Sequence, residues 1–148
     1  MINYGRQSIN EDDIASVVEV LKSPFLTQGP TSINFEQKTA IQTGSEYCVS
    51  FNSATSALHI ACQSLGLGKG DWLWTSPITF VASANCGLYC GAKIDFVDIN
   101  LSTGLIDIAK LSEKLKKAKV LGKLPKILIP VHLGGCSCEM NEIKKLAD

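Results

Sequence analysis

The stretch FNSATSA, residues 51–57, joins the end of an apolar segment to a short polar turn of small residues and the start of a helix. This order predicts a β-strand that passes directly into an α-helix. The first N–H groups of a helix have no partner inside it, and the helix dipole is positive there. Small side chains and hydroxyl groups allow a phosphate to approach those N–H groups. The same residues also fit ordinary capping by Asn52 or Ser53, so the spacing leaves both interpretations open.

Strand and helix patterns continue to alternate after this stretch. Strands are predicted at residues 47–51, 72–75, 93–99 and 126–131, and helices at 54–65, 79–90, 108–119 and 140–147. Repeated strand–helix units predict an α/β fold with a mostly parallel sheet and helices on both faces. Four residues of the helix at 54–65 should face inward: Leu58, Ala61, Cys62 and Leu65.

Two further helices are predicted before the first strand. Asn10 suits an N-cap, because three acidic residues follow it and a helix dipole favours negative charge in the first turn. Pro24 should end this helix, since proline disfavours helical geometry in the residue before it. The second helix is expected at about residues 31–43, with Gly44 as a left-handed cap.

The composition excludes several classes of protein. Fourteen basic residues balance fourteen acidic ones, so no net positive field attracts nucleic acid or anionic lipid. The lysines at 114, 116, 117 and 119 fall on the polar side of a helical pattern and should form a solvated face. No apolar run reaches the roughly 18 residues of a membrane helix, and residues 1–10 lack a signal-peptide pattern. We therefore expect a cytoplasmic protein.

Six cysteines should remain reduced in that compartment. Cys86 and Cys90 could join Cys136 and Cys138 as four zinc ligands, but neither pair has the usual C-x-x-C spacing. Cys86 and Cys90 fit small buried hydrophobic residues better, so no metal site is expected.

The two histidines differ in their setting. His59 lies in the middle of a predicted helix and is expected to pack. His132 follows an apolar strand and precedes Gly134 and Gly135. Because ligands of open α/β sheets bind outside the carboxyl ends of strands, His132 is a candidate site residue. A structural role at a strand end is the alternative.

Four segments along the chain carry a specific pattern: FLTQGP at 25–30, NSATSALH at 52–59, SPITFVASAN at 76–85 and PVHLGG at 130–135. Together they resemble the sugar-nucleotide aminotransferases of the DegT/DnrJ type, and the resemblance begins at residues 4–7. It implies that residues 1–148 form an incomplete N-terminal part of the large domain of a fold-type I transferase that depends on pyridoxal 5′-phosphate (PLP). The most similar subgroup aminates C4 of a UDP-linked 4-keto-6-deoxy-N-acetyl sugar, on the route to pseudaminic acid.

The resemblance also implies residue roles. Ser53, Ala54 and Thr55 would hold the cofactor phosphate, and Phe80, otherwise a fitting core aromatic, would stack on the pyridine ring. The expected contacts to the UDP-sugar substrate are Tyr4, Pro24, Phe25, Leu26 and Thr27, and His132 is assigned to the same substrate on the strand-end argument given above. An amino-acid donor, expected to be glutamate, would supply the amino group. The family's sites are built between two subunits, which implies a homodimer.

Two groups that the family needs for catalysis are expected beyond Asp148. They are the lysine that binds the cofactor covalently and the acidic residue that faces the pyridine nitrogen. We therefore expect no catalytic residue in 1–148 and no activity of this chain alone. The alternatives are a truncated non-catalytic product, a partner of a full-length paralogue, the family's sugar dehydratase branch and a nucleotide-binding module without PLP.

Overall fold

The computed structural model describes residues 5–148. Its contacts divide the chain into two compact units, one ending at Ser50 and the other spanning Phe51–Asp148. Tyr4, an expected substrate contact, lies outside the described residues.

The first unit contains helices α1 (Glu11–Lys22) and α2 (Pro30–Thr43). The Asn10 side chain accepts hydrogen bonds from the amides of Asp12 and Asp13, and the Asp13 carboxylate accepts one from the Asn10 amide at 2.9 Å. This reciprocal capping box fixes the start of α1. α1 ends two residues before Pro24, and α2 ends at Gly44 with φ of 68°. Both expected helices are confirmed.

The strand predicted at 47–51 is wrong. This segment pairs with no other part of the described chain, and Tyr47 and Val49 are 79% and 68% exposed. A strand needs a neighbouring backbone for its hydrogen bonds, so an apolar pattern alone does not produce one. The segment is instead held at its end by the Glu36 carboxylate, which accepts hydrogen bonds from the Ser50 amide and hydroxyl at 2.8 and 2.7 Å. These bonds lower the pKa of Glu36.

The second unit alternates helices and strands. In chain order they are α3 (Ala54–Ser64), β1 (Trp72–Thr75), α4 (Ala82–Tyr89), β2 (Lys93–Phe96), α5 (Ile108–Leu121), β3 (Ile127–Ile129) and α6 (Met140–Ala147). The three strands form a parallel sheet in the order β2-β1-β3. In register, Leu73 of β1 lies opposite Ile94 of β2 and Ile127 of β3. The expected parallel sheet is confirmed.

Both faces of the sheet are covered. Because side chains alternate along a strand, Leu73 and Trp74 of β1 enter different apolar clusters. Leu73 packs with Cys62 of α3 and Cys86 of α4. Trp74 packs with a second cluster drawn from α5, α6 and their connecting segments: Val97, Leu105, Ile106, Leu111, Ala118, Cys138 and Ile143.

Helix α4 lies very close to the sheet at Gly87. A β-carbon placed on Gly87 would come within 2.6 Å of the Ile94 side chain and 3.1 Å of the Leu73 side chain. An alanine there would therefore require the end of the Ile94 side chain to move, or α4 to shift away from the sheet.

Several predicted boundaries and orientations need correction. α4 begins at Ala82 instead of residue 79, and β2 and β3 are shorter than the apolar runs that predicted them. Of the four residues expected to face inward from α3, Cys62 is buried and Leu58 is partly buried, while Ala61 and Leu65 are exposed. Leu65 is 63% exposed because it follows the last turn of α3, where the side chain no longer lies on the packed side.

The lysine-rich side of α5 is only partly the solvated face that was expected. Lys117 is exposed and pairs with Glu113 at 2.6 Å. Lys114 is half-buried, pairs with Asp95 at 2.8 Å and lies 5.0 Å from the centre of the Trp74 ring. Its aliphatic stem thus covers apolar surface while its ammonium group reaches a carboxylate.

Candidate functional site

The start of α3 presents free backbone donors. Ser53 is the N-cap, and its hydroxyl oxygen accepts a hydrogen bond from the Ser56 amide at 3.2 Å. The amides of Ala54 and Thr55 donate to no acceptor among residues 5–148. Ser53 therefore performs the expected capping and leaves the next two N–H groups at the positive end of the helix dipole. Such a pair is suited to an anion such as phosphate.

Two other candidate residues follow the carboxyl ends of neighbouring strands. β1 ends at Thr75 and β3 at Ile129, and the Thr75 hydroxyl donates to the Ile129 carbonyl at 2.9 Å. Phe80 follows β1, and His132 follows β3. Both side chains are exposed and lie in the segments that leave this edge of the sheet, which is where ligands of parallel sheets bind.

The segment around Phe80 is a structured turn. Phe80 is 74% exposed, so the interpretation of it as a core aromatic is wrong. The Phe80 carbonyl accepts a hydrogen bond from the Ser83 amide at 3.0 Å, and the hydroxyls of Thr79 and Ser83 lie 2.8 Å apart. α4 begins at Ala82, directly after this turn, so Phe80 lies in the turn that leads into the helix. Its open ring face is free to cover a flat, unsaturated ring.

Ser76 is a residue of this edge that the sequence did not single out. It follows β1 directly, is 1% exposed, and its hydroxyl has no hydrogen-bond partner within the described chain. A buried hydroxyl without a partner is rare. No sequence signal marks it, because its burial depends on how the sheet is covered.

His132 is held by a backbone hydrogen bond. Its Nδ1 accepts from the Cys138 amide at 3.0 Å, because the chain turns back through Gly134 and Gly135, whose φ angles are 63° and 82°. Cys138 is buried, which raises the pKa of its thiol, and its Sγ donates to the Val131 carbonyl at 3.2 Å. The two glycines indicate a turn, but the only role considered for Cys138 from the sequence was zinc ligation, which was not expected.

The loop of the first unit expected to contact the sugar nucleotide is exposed throughout residues 24–27. The Ser23 hydroxyl accepts from the Phe25 amide at 3.3 Å and donates to the Phe25 carbonyl at 3.1 Å. Gln28 has φ of 53°, a left-handed conformation that non-glycine residues adopt infrequently. Gly29 is buried against Phe25, with no room for a larger side chain without a shift. The loop therefore has a defined shape and presents Pro24, Phe25, Leu26 and Thr27 to solvent.

Candidate residues in the second unit are not joined directly. Within residues 51–148, no hydrogen bond links the start of α3 to Phe80 or His132. His59 instead packs, with its ring centre 5.3 Å from that of Tyr89 in an edge-to-face arrangement, as expected.

The cysteines contribute to packing. The thiols of Cys62 and Cys86 lie 3.7 Å apart in the contact between α3 and α4. Burial, with Cys86 as a second cause, raises the pKa of Cys62 to about 12. Within the described part of the chain, no three His, Cys, Asp or Glu side chains form a group that could hold a metal ion.

Comparison with known proteins places this arrangement in a family. The model of the DegT/DnrJ/EryC1/StrS aminotransferase family matches residues 7–148. The chain belongs to this family. Its parallel sheet with helices on both faces is thus part of a fold known from PLP-dependent aminotransferases, as the sequence predicted.

The chain is similar to a sugar transaminase and to a polysaccharide biosynthesis protein. It is 40% identical to a UDP-4-amino-4,6-dideoxy-N-acetyl-beta-L-altrosamine transaminase of Campylobacter jejuni, with 99% of this chain and 38% of that protein covered. It is 38% identical to the spore coat polysaccharide biosynthesis protein SpsC of Bacillus subtilis, with 97% and 36% covered. Across five curated relatives the chain spans 35% to 38% of their lengths.

A solved structure gives the same result. PseC of Helicobacter pylori, an aminotransferase involved in the biosynthesis of pseudoaminic acid, superposes with a TM-score of 0.86 at 33% identity. The superposition covers 98% of this chain and 38% of PseC.

No helix in the described residues is long and apolar enough to cross a membrane.

Proposed function

We propose that the whole protein, meaning residues 1–148 with any sequence that completes them, is a PLP-dependent sugar-nucleotide aminotransferase. It transfers an amino group from glutamate to C4 of a UDP-linked 4-keto-6-deoxy-N-acetyl sugar, and it works as a homodimer. The observation that carries this proposal is the pair of free amides at Ala54 and Thr55. The similarity to the altrosamine transaminase supports the choice of sugar.

The residues at the start of α3 fit the phosphate of PLP. The amides of Ala54 and Thr55 supply two donors, and the half-buried Thr55 offers a hydroxyl as a third. Ser53 keeps the helix capped, so these donors are available without cost to the helix. Charge-assisted hydrogen bonds of this kind are about twice as strong as neutral ones.

The carboxyl edge of the sheet fits the rest of the cofactor. The exposed Phe80 ring can cover one face of a pyridine ring, and the buried Ser76 hydroxyl still lacks a partner. When bound, PLP supplies the electron sink that amino-group transfer requires. The chain's own residues anchor the phosphate, limit the tilt of the ring and exclude water from the covered face.

The remaining candidate residues are proposed to contact the sugar-nucleotide substrate. Loop 24–27 offers exposed apolar side chains and the Thr27 hydroxyl to a sugar nucleotide. His132 stands at the sheet edge. Tyr4 is proposed as a further contact on the basis of the family resemblance alone.

An isotope-transfer assay tests the function. The whole protein, loaded with PLP, is incubated with the UDP-linked 4-keto sugar and ¹⁵N-labelled glutamate, and the sugar nucleotide is analysed by mass spectrometry. We expect ¹⁵N in the sugar and 2-oxoglutarate as co-product. Loss of a hydroxyl from the sugar without gain of nitrogen would instead indicate the dehydratase branch, and absence of any product would reject the proposal.

A further inference from the structure

The imidazole of His132 is fixed in one orientation by the chain that follows it. The Cys138 amide donates to Nδ1 at 3.0 Å. This contact joins residues that are six positions apart, and between them Gly134 and Gly135 adopt left-handed conformations that glycine tolerates without strain.

The donor of this hydrogen bond is itself immobilised. Cys138 is buried in the apolar cluster that contains Trp74 and Leu111. Its thiol also donates to the Val131 carbonyl at 3.2 Å, directly before His132. The loop is therefore fastened at both ends to the same part of the core, and the ring cannot rotate without breaking the bond to the Cys138 amide.

This hydrogen bond determines which nitrogen carries the proton. A neutral imidazole has one N–H donor and one acceptor nitrogen. Because Nδ1 accepts from a backbone amide, the proton of the neutral ring must be on Nε2. Nε2 has no hydrogen-bond partner among residues 5–148, and the side chain is exposed in the segment that leaves the carboxyl end of β3.

We infer that His132 is a substrate-binding donor, whose Nε2–H donates a hydrogen bond to an acceptor oxygen of the bound sugar nucleotide. The inference deepens the proposed function and rests on it for the identity of the ligand. In this tautomer both ring nitrogens are committed, so neutral His132 positions the substrate and does not act as a general base.

Two substitutions test the roles of the two ring nitrogens of His132 one at a time. His132→Asn places an amide oxygen near the position of Nδ1, which keeps an acceptor for the Cys138 amide and removes the distal donor. His132→Gln places an amide nitrogen near the position of Nε2 and loses the contact to Cys138. We expect the Asn variant to retain the melting temperature of the wild type and to raise KM for the UDP-linked 4-keto sugar roughly fivefold, as loss of one hydrogen bond implies. The Gln variant should melt at a lower temperature and retain more of the substrate affinity.

The tautomer can be measured without any activity. In the whole protein labelled with ¹⁵N-histidine, the His132 signal is identified by its disappearance in the Asn variant. It should show the Nε2–H form in the absence of substrate. The Nδ1–H form would overturn the inference, as would an Asn variant with wild-type KM.

The outcome also distinguishes the two proposals. If the wild type transfers nitrogen and the Asn variant shows an unchanged KM, only the role of His132 fails. If the wild type neither binds nor aminates the UDP-sugar, the proposed function fails, and the assignment of His132 as its donor fails with it.

Discussion

Replacing Thr55 with valine in the whole protein should weaken PLP binding without changing the fold. Valine has nearly the same shape as threonine, so the substitution removes the hydroxyl and little else. The Thr55 side chain accepts and donates no hydrogen bond within residues 5–148, and the cap of α3 depends on Ser53 and Ser56. We therefore expect the melting temperature of the cofactor-free protein to be unchanged.

The size of the effect follows from the charge of the ligand. A hydrogen bond to a charged group contributes roughly 1.5–3 kcal/mol, which corresponds to a Kd weaker by about 10-fold to 150-fold. The two free amides of Ala54 and Thr55 remain in the variant, so binding should be reduced and not abolished. Titration of the cofactor-free protein with PLP, followed by absorbance, measures the change.

A matched control is present in the same chain. Thr31 is the second residue of α2, as Thr55 is the second residue of α3. Thr31→Val makes the same chemical change at a helix start for which no phosphate is proposed, and it should leave the Kd for PLP unchanged. Equal affinity of the Thr55→Val variant and the wild type would refute the phosphate site, and equal weakening by both variants would show a general effect of the substitution.

Three further predictions concern stability and reactivity. Asn10→Ala removes the capping box of α1 and should lower the stability of that helix by about 1 kcal/mol, seen as faster amide hydrogen exchange in α1; unchanged exchange contradicts it. Iodoacetamide near pH 8 should label exposed Cys136 well before buried Cys62, whose pKa is raised to about 12; mass spectrometry of timed digests checks the order, and equal rates contradict it. Because Lys126 lowers the pKa of Asp71, their interaction stabilises the fold above the ordinary carboxyl pKa and is lost as the pH falls through the lowered one. Lys126→Met should therefore flatten the melting temperature as a function of pH in that acidic range, and an unchanged slope contradicts it.

Local signals in the sequence were enough to locate most helices. α1 begins where Asn10 and the acidic residues predict, and α2 ends at Gly44. These features depend on residues within one helical turn of the boundary, so a single segment contains the information. The same holds for α6, whose bounds agree with the prediction at both ends.

Features that depend on distant partners were harder to predict. The segment at 47–51 has a strand pattern but no strand beside it in the described chain. α4 begins only after a turn in which the Ser83 amide donates to the Phe80 carbonyl, which the apolar pattern from residue 79 did not reveal. Leu65 is exposed because the packed side of α3 ends one residue earlier.

For the candidate site, too, some residues could be found from local sequence signals, and others needed the family resemblance or the folded structure. The helix-start rule marked residues 51–57 as a possible phosphate site and left ordinary capping open, and the strand-end rule marked His132 as a candidate. The assignment of PLP and of Phe80 to a stacking role needed the family resemblance. The bond from Cys138 to His132 could not be predicted, because it depends on the path of the chain through two glycines.

The close approach of α4 to the sheet at Gly87 limits how this protein can vary in evolution. A β-carbon at that position would come within 2.6 Å of the end of the Ile94 side chain and 3.1 Å of Leu73, so either Ile94 turns aside or α4 moves outward. Phe80 lies in the turn that leads into α4, so an outward movement of α4 would carry the Phe80 ring with it. Under the proposed function, selection on cofactor binding would then also act on Gly87, which is not among the residues proposed to hold the cofactor. In a library of random variants, Gly87 should therefore tolerate large side chains poorly.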